Sequence, residues 1–353
     1  EGEMLGPATY ILAFLVPLCH ALGLVLGGGW SFFTLAFVFV FTPVMDHLLG
    51  RDERNPEGRW AWAYDVFLYV WVPVQLGLIA WTLSAVLSPA TWLERVGWVV
   101  SLGVVSGAVG ITVAHELMHR SRAWERGMAE LLMTLMSYPH FCIEHVFGHH
   151  KHVATPKDPA TARRGESVLA FIPRTLWGGF ESFLAIEAER VRKHGRSGWS
   201  DARVRYGILL AAFYGVVVAA FGVAGAAVFF LQGLIAVLLL EVINYVEHYG
   251  LLRGEVGTDR SGKPRYERVR PEHSWNSSHW LTNAYLFHLP RHADHHANAS
   301  RPFHALRHMP EGPQLPFGYA TMVLVALVPP LWFRLMEPRL EGLERSRGHS
   351  AEA

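Results

Sequence analysis

The stretch YGILLAAFYGVVVAAFGVAGAAVFFLQGLIAVLLLEVINYVEHYG, residues 206–250, stays apolar over most of its length. Before Asn244, only Gln232 and Glu241 carry strongly polar side chains. A helix needs about 20 residues to cross the ~30 Å hydrocarbon core of a bilayer. The stretch therefore predicts two membrane-spanning helices, hinged near residues 221–225.

Four more apolar blocks of similar length lie upstream. The first lacks the basic flank and the cleavage site of a signal peptide, so we interpret it as a retained helix. Together the blocks predict an all-α integral membrane protein with one membrane domain at 1–338 and a polar tail or linker at 339–353. The six predicted transmembrane helices are about 7–27, 30–49, 65–87, 96–114, 206–222 and 226–246.

Positive charge predicts the orientation of these helices. With six crossings, three loops face one side, and they contain a single basic residue, Arg95, of the 31 Lys and Arg in the chain. Loops rich in Lys and Arg stay in the cytoplasm. Both termini and a helical or loop cap, formed by 115–205 and 251–315, are therefore predicted to be cytoplasmic.

A seventh apolar block runs from Pro316 to Met336 and contains the pair Pro329-Pro330. If it crossed the membrane, the charge pattern would be broken. We interpret it as an interfacial or re-entrant segment.

Composition limits the kind of chemistry that the chain can perform. A formal net charge of +1 does not favour nucleic-acid binding. The chain has 20 histidines but only 2 cysteines, which excludes a disulfide scaffold, a zinc-thiolate site and an iron–sulfur cluster. Any metal must therefore bind to nitrogen and oxygen.

Histidines cluster where the predicted helices meet the cap. The clusters read HELMH at 115–119, EHVFGHH at 144–150, NYVEHYG at 244–250 and RHADHH at 291–296. An i,i+4 spacing places two imidazoles on one face of a helix. HExxH alone also marks zinc proteases, but here it ends a membrane helix and three further clusters accompany it.

A metal centre explains these clusters better than chance packing does. Many neutral imidazoles at a desolvated boundary would leave polar groups unsatisfied, whereas a metal gives each of them a partner. Eight or nine nitrogen ligands exceed the coordination of one first-row ion, so two ions are predicted. Imidazole suits iron, copper, zinc and nickel alike, so the residues alone leave the metal open.

The chain resembles the integral-membrane alkane 1-monooxygenases (alkane ω-hydroxylases). The histidine clusters alone match only the wider histidine-box superfamily of membrane desaturases and hydroxylases. The narrower resemblance rests on NYVEHYGLLR at 244–253, HKHVATPKDPAT at 150–161, HSWN at 273–276 and LFHL at 286–289. Two departures are visible: HELMH is followed by Arg120, where the family more often has Lys, and Pro290 stands where Gln is usual.

The resemblance implies a non-haem diiron centre and O2-dependent hydroxylation of medium-chain n-alkanes to primary alcohols. It implies electrons from a rubredoxin, which an NAD(P)H-dependent rubredoxin reductase reduces and which can be a fused domain. It also implies a bacterial inner-membrane protein with its metal site on the cytoplasmic side. The implied iron ligands are His115, His119, His145, His149, His150, His248, His292, His295 and His296.

Other residues are predicted to support this centre. Carboxylates can hold imidazole N–H groups and fix their tautomers. The candidates for this outer role are Glu116, Glu144, Glu241, Asn244, Glu247 and Asp294. Residues near the terminal methyl of the substrate are expected to be Ala108, Ile111 and Leu289. A basic landing surface for an acidic rubredoxin is expected at Arg120, Arg122, Arg126, Lys151, Arg163 and Arg164.

Three alternatives stay open at this point. A fatty-acyl desaturase would give an alkene, and an aromatic side-chain hydroxylase would act on another substrate class. A metal transporter would also place polar ligands in a membrane, but its ligands should follow a path across the bilayer. Here they cluster at one boundary.

Overall fold

The computed structural model describes residues 6–55, 61–260 and 262–351 of the chain. It is mostly helical, with one short antiparallel pair of strands, β1 and β2. The main elements are α1 Pro7–Leu26, α2 Gly28–Leu49, α3 Ala61–Leu87, α4 Trp92–Met118, α5 Ala123–Leu135, α6 at 141–152, α7 Val168–His194, α8 Ala202–His248, β1 Glu255–Thr258, β2 Pro264–Tyr266, α9 Trp280–Tyr285, α10 His292–Ala297, α11 Tyr319–Ala326 and α12 Pro329–Ala351.

The longest helix, α8, is two helices joined at a break. Its 47 residues would span about 70 Å if straight. Gly222 interrupts it with φ 68° and ψ −174°, a conformation that L side chains rarely adopt. The break falls inside the predicted hinge, so each half of α8 is long enough for one crossing, and the described helices are compatible with the six predicted spans.

Contacts at the two ends of the bundle show that successive helices run in alternating directions. At one end, the turn between α1 and α2 meets the start of α4, where the Gly28 amide donates to Glu94 Oε1 at 2.7 Å. At the other end, Arg120 after α4 reaches Asp65 at the start of α3 at 2.7 Å. The predicted cap lies at this second end, and in the structure it comprises residues 119–201 and 249–318.

Small and polar residues hold the membrane helices together. A Cβ on Gly107 of α4 would lie 3.0 Å from the Ala236 backbone of α8, so a larger residue would push the two helices apart by a few tenths of an ångström. Gln75 Nε2 donates to Ser106 Oγ, which donates to Gln232 Oε1, both at 2.8 Å. This chain of hydrogen bonds ties α3, α4 and α8 together and gives the buried Gln232 a structural role.

Three segments differ from the simple pattern of spans and polar cap. The seventh apolar block forms α11 and α12, which bend by 118° at residues 327–328, as a re-entrant segment would. The predicted tail from 339 is helical up to Ala351, while 352–353 lie outside the described residues. Helix α7, inside the predicted polar segment 115–205, exposes several large apolar side chains.

Candidate metal centre

Helix α4 carries the first two histidines of the centre. The span was expected to end at residue 114, but the helix continues to Met118 because HELM adds a further turn of good helix formers. His115 therefore lies within the helix and His119 directly at its end. Both imidazoles face the cap rather than lipid.

The nine histidines converge in two groups at the junction of the membrane helices and the cap. Within each group, one nitrogen from every imidazole lies within 4.8 Å of the others. Rings of the two groups approach closely, with centroids of His150 and His296 4.5 Å apart. The five-histidine group is His115, His119, His145, His150 and His295, and the four-histidine group is His149, His248, His292 and His296.

A π-helical turn decides how the second cluster is divided. Residues His145–His149 form a π-helix within α6, which is wider than an α-helix. His145 therefore aligns with His150, five residues on, and their Nε2 atoms lie 3.0 Å apart. His149 lies four residues after His145, but its Nε2 turns to the four-histidine group, 3.3 Å from His296 Nε2.

The donor set fits metal ions. Nitrogens bound to one ion at about 2.1 Å and at right angles lie about 3 Å apart. His292 Nε2 lies 3.1 Å from His248 Nε2 and 2.9 Å from His296 Nε2. His115 Nε2 and His119 Nε2 are buried and find no hydrogen-bond partner among the described residues. One ion in each group would satisfy these atoms.

Burial also keeps the imidazoles uncharged, as metal binding requires. Metal-binding histidines must be neutral at the ligating nitrogen. Burial lowers the pKa of His119 to about 4 and lowers the pKa of His145, His292 and His295 well below the usual range. At neutral pH these side chains are therefore uncharged, and their nitrogens are available as ligands.

Asp158 is a site residue that the sequence reasoning did not select. Its side chain is buried, and Oδ2 accepts from His149 Nδ1 at 2.9 Å and from Thr161 Oγ1 at 2.6 Å. Burial disfavours charge on both groups, but their mutual attraction raises the pKa of His149 and lowers that of Asp158. The carboxylate therefore fixes the Nδ1–H tautomer of His149 and leaves Nε2 for a metal.

Of the six predicted outer partners, Glu247 contacts a histidine of the centre. Its Oε2 lies 3.2 Å from His292 Nε2, and its Oε1 accepts from Tyr319 Oη at 2.8 Å. Glu247 therefore approaches the nitrogen that faces the four-histidine group, not the Nδ1 side behind the ring.

The other five candidates make different hydrogen bonds in the described structure. Glu116 binds Arg120, Glu144 accepts from Ser182, Asn244 donates to Glu241, and Asp294 binds Arg301. These contacts brace the helices that carry the histidines, without touching an imidazole of the centre.

An apolar cavity lies next to the centre. Its volume is about 50 Å³, and its walls come from α2, α4, α8, α11 and the residues after α9. Ala108, Ile111 and Leu289, the three residues expected near a substrate methyl, all line it. The cavity adjoins the helices that carry His115 and His248, and Thr112, three residues before His115, lines it.

Comparisons with known proteins agree with this arrangement. Residues 90–326 match the family model described as fatty acid desaturase. The chain is 43% identical to alkane 1-monooxygenase 1 of Pseudomonas aeruginosa, over 88% of this chain and 83% of that protein. It is 40% identical to alkane 1-monooxygenase 2 of the same species, over 94% and 90%.

The chain belongs to the alkane 1-monooxygenase family. It is also 31% identical to the hydroxylase component of a xylene/toluene monooxygenase of Pseudomonas putida, over 94% of this chain and 88% of that protein. The chain is therefore a membrane oxidoreductase, and its two histidine groups are arranged as a metal site.

Two of the six basic residues that were predicted as a landing surface for rubredoxin are held in ion pairs in the structure. Arg120 is largely buried between Asp65 and Glu116, at 2.7 and 2.8 Å. Arg164 is held by three glutamates of α12: Glu337, Glu341 and Glu344. The other four predicted residues are exposed, namely Arg122, Arg126, Lys151 and Arg163.

Proposed function

We propose that this protein inserts one oxygen atom of O2 into the terminal methyl of medium-chain n-alkanes and releases a primary alcohol. The overall reaction takes up two electrons and two protons and reduces the second oxygen atom to water. The observation that carries the proposal is the position of an apolar cavity beside two groups of buried histidines. The family membership supports it independently.

Two iron ions held by the nine histidines would supply the reduction of O2 and the oxidation of the C–H bond. The residues of the chain supply position and environment. Ala108, Ile111 and Leu289 orient the terminal carbon, and the apolar wall keeps water away from the reacting bond. Asp158 holds the tautomer of His149, so that its Nε2 is free to bind.

Substrate entry from the bilayer fits the cavities. The small cavity shares Phe39, Leu239 and Val323 with a second apolar cavity of about 470 Å³. The second cavity is also lined by Leu169 and Pro173 of α7, whose side is exposed. An alkane is concentrated in lipid and has no polar handle, so this lateral route suits it better than an aqueous one.

We also propose a bacterial inner-membrane location with the cap in the cytoplasm. Arg95 lies at the end opposite the cap, where its Nη2 donates to the Ser88 carbonyl at 3.2 Å. The other 30 Lys and Arg of the chain lie outside the three loops at that end. This asymmetry supports a cytoplasmic cap, within reach of a soluble rubredoxin.

The decisive experiment is turnover of octane by the purified, iron-loaded protein with rubredoxin, its reductase and NADH. We expect 1-octanol. If octane, dodecane and hexadecane are all inert, the proposal is wrong. An alkene product would indicate a desaturase instead, and preferential oxidation of p-xylene would favour the activity named for the xylene/toluene monooxygenase relative.

Enlarging Ala108 should shorten the preferred substrate. In Ala108→Phe the ring would fill the cavity beside the predicted methyl position, and each excluded methylene forfeits about 0.8 kcal/mol of burial, or roughly fourfold. Product profiles on a mixed C6–C16 feed should therefore move toward shorter chains. Ala80→Phe is the matched control on the exposed face of α3. An identical profile for both variants would remove Ala108 from the substrate site.

Reduction by rubredoxin should depend on ionic strength. If the exposed residues Arg122, Arg126, Lys151 and Arg163 steer an acidic donor, the association rate should fall by about 10-fold or more as salt screens the charges. Stopped-flow reduction should show a smaller salt dependence for Arg122→Glu/Lys151→Glu. Arg95→Glu, at the opposite end of the bundle, is the control. Equal salt dependence in all three proteins would mean that these charges serve topology alone.

A further inference from the structure

A large cavity lies apart from the histidines. It has a volume of about 520 Å³, within the ~300–1,000 Å³ usual for small-molecule sites. Met118, at the end of α4, and Leu209, in the second turn of α8, both line it. Since α4 leaves and α8 enters the apolar bundle at this level, the cavity lies at the membrane–water boundary.

Positive charge dominates the polar part of the cavity. Three arginines line it against one carboxylate, Glu130. Glu130 is already satisfied, because Arg205 Nη2 and Tyr206 Oη donate to its Oε1 at 2.6 and 2.9 Å. Of the other two arginines, Arg190 also lies near a carboxylate, that of Glu187, whereas Arg126 donates to the backbone carbonyls of Arg120 and Ser121 and leaves one positive charge in excess.

Arg190 is the better positioned of these two. Its guanidinium lies 4.1 Å over the Phe147 ring, and Nη1 is 3.2 Å from Glu187 Oε2. This buried Nη1 nevertheless makes no well-formed hydrogen bond with any residue that the structure describes. A buried donor whose hydrogen bond is poorly formed is costly, so a better aligned acceptor from a bound molecule would stabilise it.

Helix α7 connects an exposed apolar surface with this cavity, because Arg190 near its end lines the cavity. Its exposed side carries Leu169, Trp177, Phe180 and Leu184, all more than a third exposed. Arg174 and Glu181 are the charged residues of this part of the helix, and charged residues become frequent only from Glu187 onward. An amphipathic helix with such a face lies in the plane of the interface, with its apolar side in the acyl region. The arginine end of α7 is therefore at the level of lipid headgroups.

We propose that this cavity binds one anionic phospholipid. The phosphate would lie between Arg126 and Arg190, and an acyl chain would follow the apolar wall at Phe147 and Leu209. A free phosphate would use the arginines but not the apolar wall. An acidic protein would need a flat, aqueous surface rather than a cavity beside a membrane-embedded helix face.

The test is native mass spectrometry of the full chain from nanodiscs that contain equal amounts of phosphatidylglycerol and phosphatidylcholine. We expect one retained phosphatidylglycerol per chain, with at least fivefold preference over phosphatidylcholine. Gly127→Phe should abolish retention, because Gly127 lines the cavity and a Cβ there meets nothing within 4 Å. The matched control Gly207→Phe, on an open helical position outside the cavity, should retain the lipid.

Charge variants separate the lipid from other occupants. Arg126→Gln should lower retention at least threefold, whereas Arg192→Gln, an exposed arginine of α7 outside the cavity, should not. Equal retention of the two lipids, or equal retention in Gly127→Phe and Gly207→Phe, would overturn the proposal. Displacement of the lipid by millimolar glycerol phosphate would also overturn it, because a free phosphate would then be the occupant. If Arg126→Gln changed only the rate of reduction by rubredoxin and not lipid retention, the proposal would likewise be wrong.

Discussion

His292→Ala should lower bound iron from about two ions to about one per chain and abolish alkane hydroxylation. His292 belongs to the four-histidine group, where its Nε2 faces both His248 and His296. Its removal leaves three imidazoles and an opening in a buried site. Loss of an outer partner alone costs about 10–100-fold in metal affinity or activity, so loss of a ligand should cost more than 100-fold.

The two groups should respond differently to the loss of one imidazole. His119→Ala leaves four histidines in its group, so we expect it to retain more iron than His292→Ala does. Iron can be counted by plasma emission on purified protein, and activity followed as 1-octanol. If both variants keep two ions per chain, the nine histidines are not the metal site.

His288→Asn is the control for the loss of a buried histidine. His288 precedes His292 by four residues but turns away from the centre, with Nε2 3.1 Å from Tyr10 Oη. Its φ is 55°, a conformation that asparagine tolerates. This variant should keep the iron content of the native protein. A loss of iron equal to that of His292→Ala would mean that the ligand set differs from the one proposed.

The spacing of the histidines predicted which imidazoles converge, but not how they divide into the five-histidine and the four-histidine group. An i,i+4 rule holds for His292 and His296, which share a group because α10 is a regular helix. It fails for His145 and His149, because the π-turn shifts the shared face by one residue. A π-turn depends on tertiary packing: here Gly148 meets α7, where a Cβ would lie 2.9 Å from Ile186 Cδ1. A single sequence does not reveal that contact.

The apolar blocks predicted the crossings well because their length alone decides them. Gly222 was recognisable as a hinge, since forty apolar residues cannot form one span. Helix α7 was harder to interpret, because both its buried and its exposed sides carry large apolar residues, while Arg174, Glu181 and the charged residues from Glu187 onward interrupt the apolar run. Its place in the membrane interface is inferred from the exposed fraction of its apolar side chains. That fraction depends on which other helices pack against α7, and a single sequence does not show this.

Partners of the histidines were the least predictable part of the site. Carboxylates close in sequence to a ligand, such as Glu116 and Glu144, turn to Arg120 and Ser182 instead. Asp158 lies nine residues after its histidine, across a loop that returns because Thr161 Oγ1 accepts from the Ala154 amide and donates to Asp158. The stretch HKHVATPKDPAT contained the signal, as a polar loop directly after a ligand cluster.

Asp158→Asn should weaken iron binding to the four-histidine group by about 10–100-fold. A carboxylate only accepts hydrogen bonds, so Asp158 requires the proton of His149 to be on Nδ1. An asparagine amide can instead donate to Nδ1, which places the proton on Nε2 and removes the ligating lone pair. The same tautomer error accounts for large losses when the aspartate of a catalytic triad becomes asparagine.

The measurement that isolates this effect is iron affinity by competition with a chelator, followed by activity at saturating iron. Excess iron should restore part of the activity of Asp158→Asn, because the fold and the other eight histidines are intact. Asp294→Asn is the matched control, since Asp294 is equally buried within the ligand helix α10 but binds Arg301 and the Arg307 amide. It should lower thermal stability while leaving iron affinity near that of the native protein. If the two variants bind iron equally well, the Asp158–His149 contact serves packing, and the tautomer of His149 is set by the metal alone.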